Sequence, residues 1–177
     1  MAAEVGDRPS DEKSGDRLVE ATVAAARNLL KQCREAGLIA MEEAVKLVPK
    51  ASELEGYLQL QVICRKIGAQ SPATLQKSVC DSLGLPIFPV KSFPVWKKGM
   101  PPAVAKSLKA HRMIPLQLEY AEYSDGRRHG YITVGAEHPY LDELALEICH
   151  ANNLPVLFAF VIVMKVNELN SASEAEL

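Results

Sequence analysis

The stretch from Ser82 to Leu116 decides the fold. It opens with S-L-G-L-P-I-F (82–88), passes through a proline-rich loop and closes with P-P-A-V-A-K-S-L-K-A-H-R-M-I-P-L (101–116). Gly84 predicts the end of a helix, because glycine readily adopts the left-handed conformation found there. The prolines interrupt regular structure until a short, basic-ended helix predicted over Ala103–His111, and Pro115 then turns the chain into a strand.

Before this stretch the chain has helical periodicity. From Arg17 onward apolar residues recur every three or four positions, which predicts an amphipathic helix ending at Gly37. Three further helices are predicted between glycine, proline and serine signals: Ala40–Val48, Ser52–Ile67 and Ser71–Leu83. Residues 1–16 are polar and predicted to be disordered, so residues 17–83 are expected to form a helical subdomain.

After this stretch the period changes to two. Leu116, Leu118 and Tyr120 alternate with other residues, Asp125-Gly126 signals a turn, and Tyr131–Val134 predicts the returning strand. A helix is predicted next, over Leu141–Ala151.

The apolar run Val156–Val163 does not alternate, so it predicts an internal strand buried on both faces. The predicted class is α+β, a helical N-terminal subdomain followed by a small mixed sheet with helices packed on it. Residues 84–166 would form the α+β subdomain, and residues 167–177 a flexible tail.

Composition excludes several classes of protein. The 177 residues are 48% hydrophobic, which is enough for a core, and the net charge of −2 gives no field that would attract nucleic acid. The longest apolar run, Leu154–Met164, is too short to cross a bilayer, so no membrane insertion is expected. The first fifteen residues lack the apolar core of a secretory signal.

The cysteines indicate a reducing compartment. Cys33, Cys64, Cys80 and Cys149 form no C-x-x-C pair, so we expect free thiols and a cytoplasmic protein. Cys149 and His150 are adjacent, with His138 nearby, but neighbouring residues on a helix point in different directions. We therefore expect neither a metal site nor a Cys-His nucleophile there.

The helical segment contains an internal repeat. Cys33-Arg34-x-x-Gly37 recurs as Cys64-Arg65-x-x-Gly68, an offset of 64 − 33 = 31 residues, and a short helix follows each copy. Two similar supersecondary units would give this pattern, and so would the shared chemistry of helix ends, because glycine ends many helices.

The L-G-L-P junction at 83–86 and the later helix that reaches Pro115-Leu116 add a family resemblance. Together they resemble the N-terminal, MshEN-type domain of the bacterial type II secretion and type IV pilus assembly ATPases. The resemblance covers about Val23–Val163. It implies a domain that performs no catalysis and either docks onto a cytoplasmic segment of an inner-membrane partner or binds cyclic di-GMP. The chain has no G-x-x-x-x-G-K-[ST] phosphate loop of its own.

The resemblance also places a degenerate nucleotide site on the two repeats. The family's Arg-Leu-Gly motif falls on Asn28-Leu29-Leu30 and Gln59-Leu60-Gln61, and its later glycines fall on Gly37 and Gly68. Both leucines match, but both arginines and both leading glycines are missing. Asn and Gln offer a phosphate no charge-assisted partner, so we expect cyclic di-GMP to bind weakly or not at all. Under the sensor alternative, the site residues would be Asn28, Leu29, Gly37, Gln59, Leu60 and Gly68.

Two basic segments are candidate partner sites. Lys91–Lys98 interleaves lysines with Phe93 and Trp96, a pattern that could stack bases or pin the loop by aromatic packing, and Trp96 could also anchor a protein partner. Arg127 and Arg128 lie at the predicted hairpin tip, where they would be solvated or would contact an acidic partner.

The sequence therefore predicts a non-catalytic adaptor or regulatory module without a cofactor. The resemblance implies that its protein partner would be a secretion or pilus inner-membrane component or the associated ATPase, and no nucleic acid is expected. The alternative is a cyclic dinucleotide sensor with an altered site, and the third hypothesis is an enzyme of unknown chemistry.

Overall fold

The computed structural model describes residues 8–47, 59–68, 71–93, 99–122, 124–125 and 128–169. These residues form an α+β fold, which confirms the predicted class. The elements are six α-helices and three strands, namely α1 (Arg8–Glu35), α2 (Met41–Leu47), α3 (Gln59–Ile67), α4 (Pro72–Leu83), α5 (Pro102–Ala110), β1 (Ile114–Glu122), β2 (Arg128–Ala136), α6 (Asp142–Ala151) and β3 (Val156–Val163). Short 3-10 helices lie at Val90–Ser92 and Pro139–Leu141.

Local signals explain the helix ends. Gly37, Gly68 and Gly84 all have positive φ, at 75°, 69° and 67°, so each predicted glycine stop is confirmed. Ser71 caps α4 as predicted, because its hydroxyl accepts a hydrogen bond from the Thr74 amide at 3.1 Å. The first residues of the predicted helix Ser52–Ile67 lie outside the described part of the chain, and α3 begins at Gln59.

Helix α1 contributes to two hydrophobic cores. Its central part places Ala21 and Ala25 against the sheet, α5 and α6. Its C-terminal half places Leu29 and Cys33 against α2, α3 and α4. The predicted helical and α+β segments are therefore joined through one continuous helix.

Both predicted flexible ends need correction. Helix α1 starts at Arg8, inside the stretch 1–16 that was expected to be disordered. At the other end, residues 166–169 form a helical turn whose Val166 and Leu169 side chains are buried, so the tail predicted from residue 167 is ordered at its start. The apolar contacts of these two side chains outweigh the polar composition around them.

The sheet has the order β1-β2-β3. Strands β1 and β2 form an antiparallel hairpin, whereas β3 runs parallel to β2 after the crossover through α6. The crossover helix covers one face of the sheet, where Ile132, Val134 and Ala136 are fully buried.

A β-bulge in β1 changes the predicted alternation. Pro115 lies opposite Val134 and Gln117 opposite Thr133, so Leu116 is an extra residue in the ladder. The bulge sends Leu116 into a small cluster with Met164 and Leu169, while Leu118 enters the helix-covered core. The alternation predicted through Leu116 and Leu118 is therefore interrupted at the bulge, and the two side chains enter different clusters.

The predicted burial of β3 on both faces is wrong as well. The strand lies at the edge of the sheet, and Leu157, Phe158 and Phe160 are 50%, 61% and 52% exposed. Among the described residues, only the end of β3 has a second neighbour, since the Phe88 amide donates to the Val163 carbonyl at 2.9 Å and the Phe88 carbonyl accepts from the Lys165 amide at 3.0 Å.

This exposure sets the cost of truncating the two phenylalanines. We expect Phe158→Ala and Phe160→Ala each to lower the free energy of unfolding by at most about 1 kcal/mol, because little buried surface is lost. In contrast, Ile132→Ala on the buried face should cost about 2–5 kcal/mol. Urea unfolding measures all three, and a cost for Phe158→Ala equal to that of Ile132→Ala would show that β3 is covered.

Candidate functional site

The residues of the degenerate repeat are split between surface and core. Asn28 is exposed on α1, whereas Leu29 and Leu60 are both fully buried. The two leucines belong to one hydrophobic cluster, so the structure brings them together as core residues. Gly37 and Gly68 end α1 and α3, and Gln59 is the first residue of α3.

Two of the three predicted partner residues fall outside the part of the chain that the structure describes. Trp96 and Arg127 are outside the described residues. Arg128 is the first residue of β2, and its backbone lies opposite that of Glu122 in the register of the hairpin.

The exposed aromatic half of the sheet is a candidate site that the sequence did not predict. We call it the open face; it comprises Gln117, Glu119, Tyr131, Thr133, Phe158 and Phe160. The Tyr131 and Phe160 rings meet edge-to-face with centroids 5.6 Å apart, and those of Phe158 and Phe160 are 6.5 Å apart. These contacts align three aromatic rings across β2 and β3.

Polar groups border these rings on β1. The Glu119 carboxylate accepts hydrogen bonds from the Tyr131 hydroxyl at 2.8 Å and from Gln117 Nε2 at 2.6 Å. The pKa of Tyr131 is raised above its ordinary value, mainly because its hydroxyl donates this hydrogen bond to Glu119. An aromatic centre with a polar rim is the arrangement by which protein interfaces concentrate affinity.

The open face ends where a loop covers the rest of the same side. Val90, Phe93 and Ile162 pack there against the buried cluster that contains Met164, and the Phe93 and Phe88 rings meet edge-to-face with centroids 5.4 Å apart. The uncovered part of β3 therefore carries Phe158 and Phe160 but not Ile162.

A second candidate lies in the interior, where α4 meets the end of β2. We call it the junction; it comprises Gln76, Glu137 and His138, all buried. The Gln76 Nε2 donates to the carbonyls of Glu137 at 2.8 Å and Met164 at 2.6 Å. Its Oε1 accepts from the Val166 amide at 3.2 Å. One side chain thus pairs three backbone groups.

Burial holds the two titratable residues of the junction in their neutral forms. It raises the pKa of Glu137 to about 8, although a hydrogen bond from the Leu60 amide and the charge of Arg112 act in the opposite direction. Burial also lowers the pKa of His138 to about 3. The His138 Nδ1 accepts from the Tyr140 amide at 3.2 Å. The sequence signal for the junction was that two polar residues, Glu137 and His138, directly follow an apolar strand.

The cysteines are free and buried. Burial raises the pKa of Cys149 to about 12, so its thiol stays protonated, and His150 Nε2 bonds the Val156 carbonyl at 2.7 Å. Over the described ranges, no three His, Cys, Asp or Glu side chains are grouped so as to hold a metal ion.

An open groove of about 520 Å³ borders the junction. Gln76 and Lys77 of α4 line one side and Lys165 and Glu168 the other. Lys77 is already paired with Asp81 at 2.6 Å. Mixed charge and an open shape give this groove no marked chemical preference.

Comparisons with known protein families, with curated proteins and with solved structures find no match to this chain. None of the helices in the described ranges is long and apolar enough to cross a membrane.

The junction predicts how stability depends on pH. Glu137 keeps its proton up to about pH 8 when folded but loses it near 4.5 when unfolded, so stability falls as pH rises between these values. His138 stays neutral down to about pH 3 when folded but titrates near 6.5 when unfolded, so stability falls as pH drops from 6.5 to 3. The two effects oppose each other between 4.5 and 6.5, where stability should be greatest.

Glu137→Gln tests this, because it removes the titration and keeps a carbonyl to accept from Leu60. Between pH 6.5 and 8 the parent should lose up to about 1.4 kcal/mol per pH unit, and the variant should not. Urea unfolding from pH 4 to 9 measures both, with His138→Gln as the matched variant for the acid limb. Parallel curves for parent and Glu137→Gln above pH 6.5 would contradict the assignment.

Proposed function

We propose that this chain is a non-catalytic protein-interaction module whose docking surface is the open face together with the edge of β3. The observation that carries the proposal is the exposure of Leu157, Phe158 and Phe160, each at least half exposed on one strand. Large apolar side chains grouped at a surface mark interaction sites. Aromatic residues with a polar rim, here Glu119 and Gln117, add to that support.

The family resemblance suggests the kind of partner. The N-terminal domain of type II secretion and type IV pilus ATPases docks onto a cytoplasmic segment of an inner-membrane component. By this analogy the module acts in the cytoplasm, and its partner is such a component or the ATPase itself, which it would regulate in trans.

The repeats support docking better than nucleotide sensing. Leu29 and Leu60 fill the core, and Asn28 and Gln59 bring no charge for a phosphate. We therefore expect no cyclic di-GMP binding at micromolar concentration in calorimetry, because two lost charge-assisted contacts cost about 1.5–3 kcal/mol each. A family member with intact Arg-Leu-Gly repeats is the positive control. A dissociation constant below about 1 μM would establish the sensor alternative.

The docking surface is tested by charging it. Phe158→Lys with Phe160→Lys should abolish capture of the partner from native cytoplasm and membranes, because lysines do not fill apolar pockets. Met41→Lys with Val45→Lys is the matched control, since these residues are 61% and 59% exposed on α2. That control should leave capture intact.

The predicted loop and hairpin residues serve as competing variants. Loss of the partner with Trp96→Ala, or with Arg127→Glu plus Arg128→Glu, while Phe158→Lys with Phe160→Lys retains it, would move the docking surface to those segments. Circular dichroism and thermal unfolding establish that every variant is folded.

A further inference from the structure

We propose that the open edge of β3 pairs with β3 of a second copy of this chain, antiparallel, about a two-fold axis at Ala159. The pairing would occupy the β3 edge of the docking surface, so this inference rests on the proposed function. The two strands would join two three-stranded sheets into one continuous sheet.

The hydrogen bonds at the end of β3 show which backbone groups are open. The Met164 amide donates to Ala136 on β2, whereas the Val163 carbonyl faces away from β2 and accepts from Phe88. Backbone groups alternate along a strand, so those of Ala159 and Val161 point outward as Val163 does. The bridge to Phe88 stops at Met164, which leaves this edge without a neighbouring strand in the described parts of the chain.

The two edges of the sheet differ in their protection. Strand β1 carries a proline at 115, a bulge at Leu116 and the charged residues Glu119 and Glu122. These are the devices by which proteins prevent an edge from pairing with another chain. Strand β3 reads V-L-F-A-F-V-I-V and has no proline and no charged residue, and its register shift against β2 lies near its start, at Leu157. Its edge is therefore open to a further strand.

Charge favours a second copy as that strand. No charged residue occurs between Leu154 and Met164, so antiparallel self-pairing brings no like charges together. A charged strand would find no opposite charge on β3. The net charge of −2 adds little long-range repulsion between two copies.

The two-fold axis fixes the register. With Ala159 opposite Ala159 of the second copy, Phe158 lies opposite Phe160 of that copy. The facing phenylalanines gather on the open face, while Ala159 and Val161 stay on the side that packs against α6. The small Ala159 side chain permits close approach at the axis, and the outward amides and carbonyls of Ala159 pair directly.

Two double variants with equal numbers of charges test this register. Phe158→Lys with Phe160→Lys places like charges in both facing pairs, and dimerisation should weaken at least about tenfold. Phe158→Lys with Phe160→Glu places opposite charges in both pairs and should retain the dimer. Sedimentation velocity from micromolar to hundreds of micromolar protein measures the dimerisation of the parent and of both double variants. Met41→Lys plus Val45→Lys is the control and should remain dimeric.

Hydrogen exchange of the parent needs no variant. The amides of Ala159 and Val161 should exchange more slowly as protein concentration rises. A parent that remains monomeric overturns self-pairing, whether these amides exchange fast or are protected by another segment of the chain.

A dimer whose dissociation constant is unchanged by Phe158→Lys with Phe160→Lys overturns self-pairing too. If a monomeric parent still loses a different protein on this substitution, the docking function stands and the self-pairing fails.

Discussion

The side-chain amide of Gln76 is the interaction on which the arrangement of the molecule depends. It bonds the backbone at Glu137, Met164 and Val166, which follow the ends of two neighbouring parallel strands. One helix-borne side chain can reach all three positions only because β2 and β3 end side by side. An apolar residue there would leave three buried backbone groups without partners, and each such group costs about 1–3 kcal/mol.

The parallel pairing of β2 and β3 explains why one face of the sheet is open. Parallel neighbours need a crossover, and α6 places its apolar side on the face it crosses. Within the described ranges, the short segment around Val90 and Phe93 covers part of the opposite face. The surface that we assign to docking is thus a consequence of strand direction as much as of the residues on it.

Local signals allowed much of the fold to be predicted. Ser71, Gly84 and the change of period near Pro115 act within a few residues of themselves, so their consequences are visible in the sequence. The exposure of β3 is not visible there, because an uncharged strand at an edge has the same sequence pattern as a central strand, and the number of neighbours decides between them. The role of Gln76 depends on strands more than 60 residues away in the chain.

Helix α1 couples the folding of the two hydrophobic cores, because it contributes buried residues to both. The same helix closes the sheet-side core with Ala21 and Ala25 and the helical core with Leu29 and Cys33. Unfolding of either core removes part of the surface that keeps α1 folded, and α1 in turn belongs to the other core. The two halves of the chain should accordingly lose structure in a single cooperative transition, and a loss of stability in one core weakens the other.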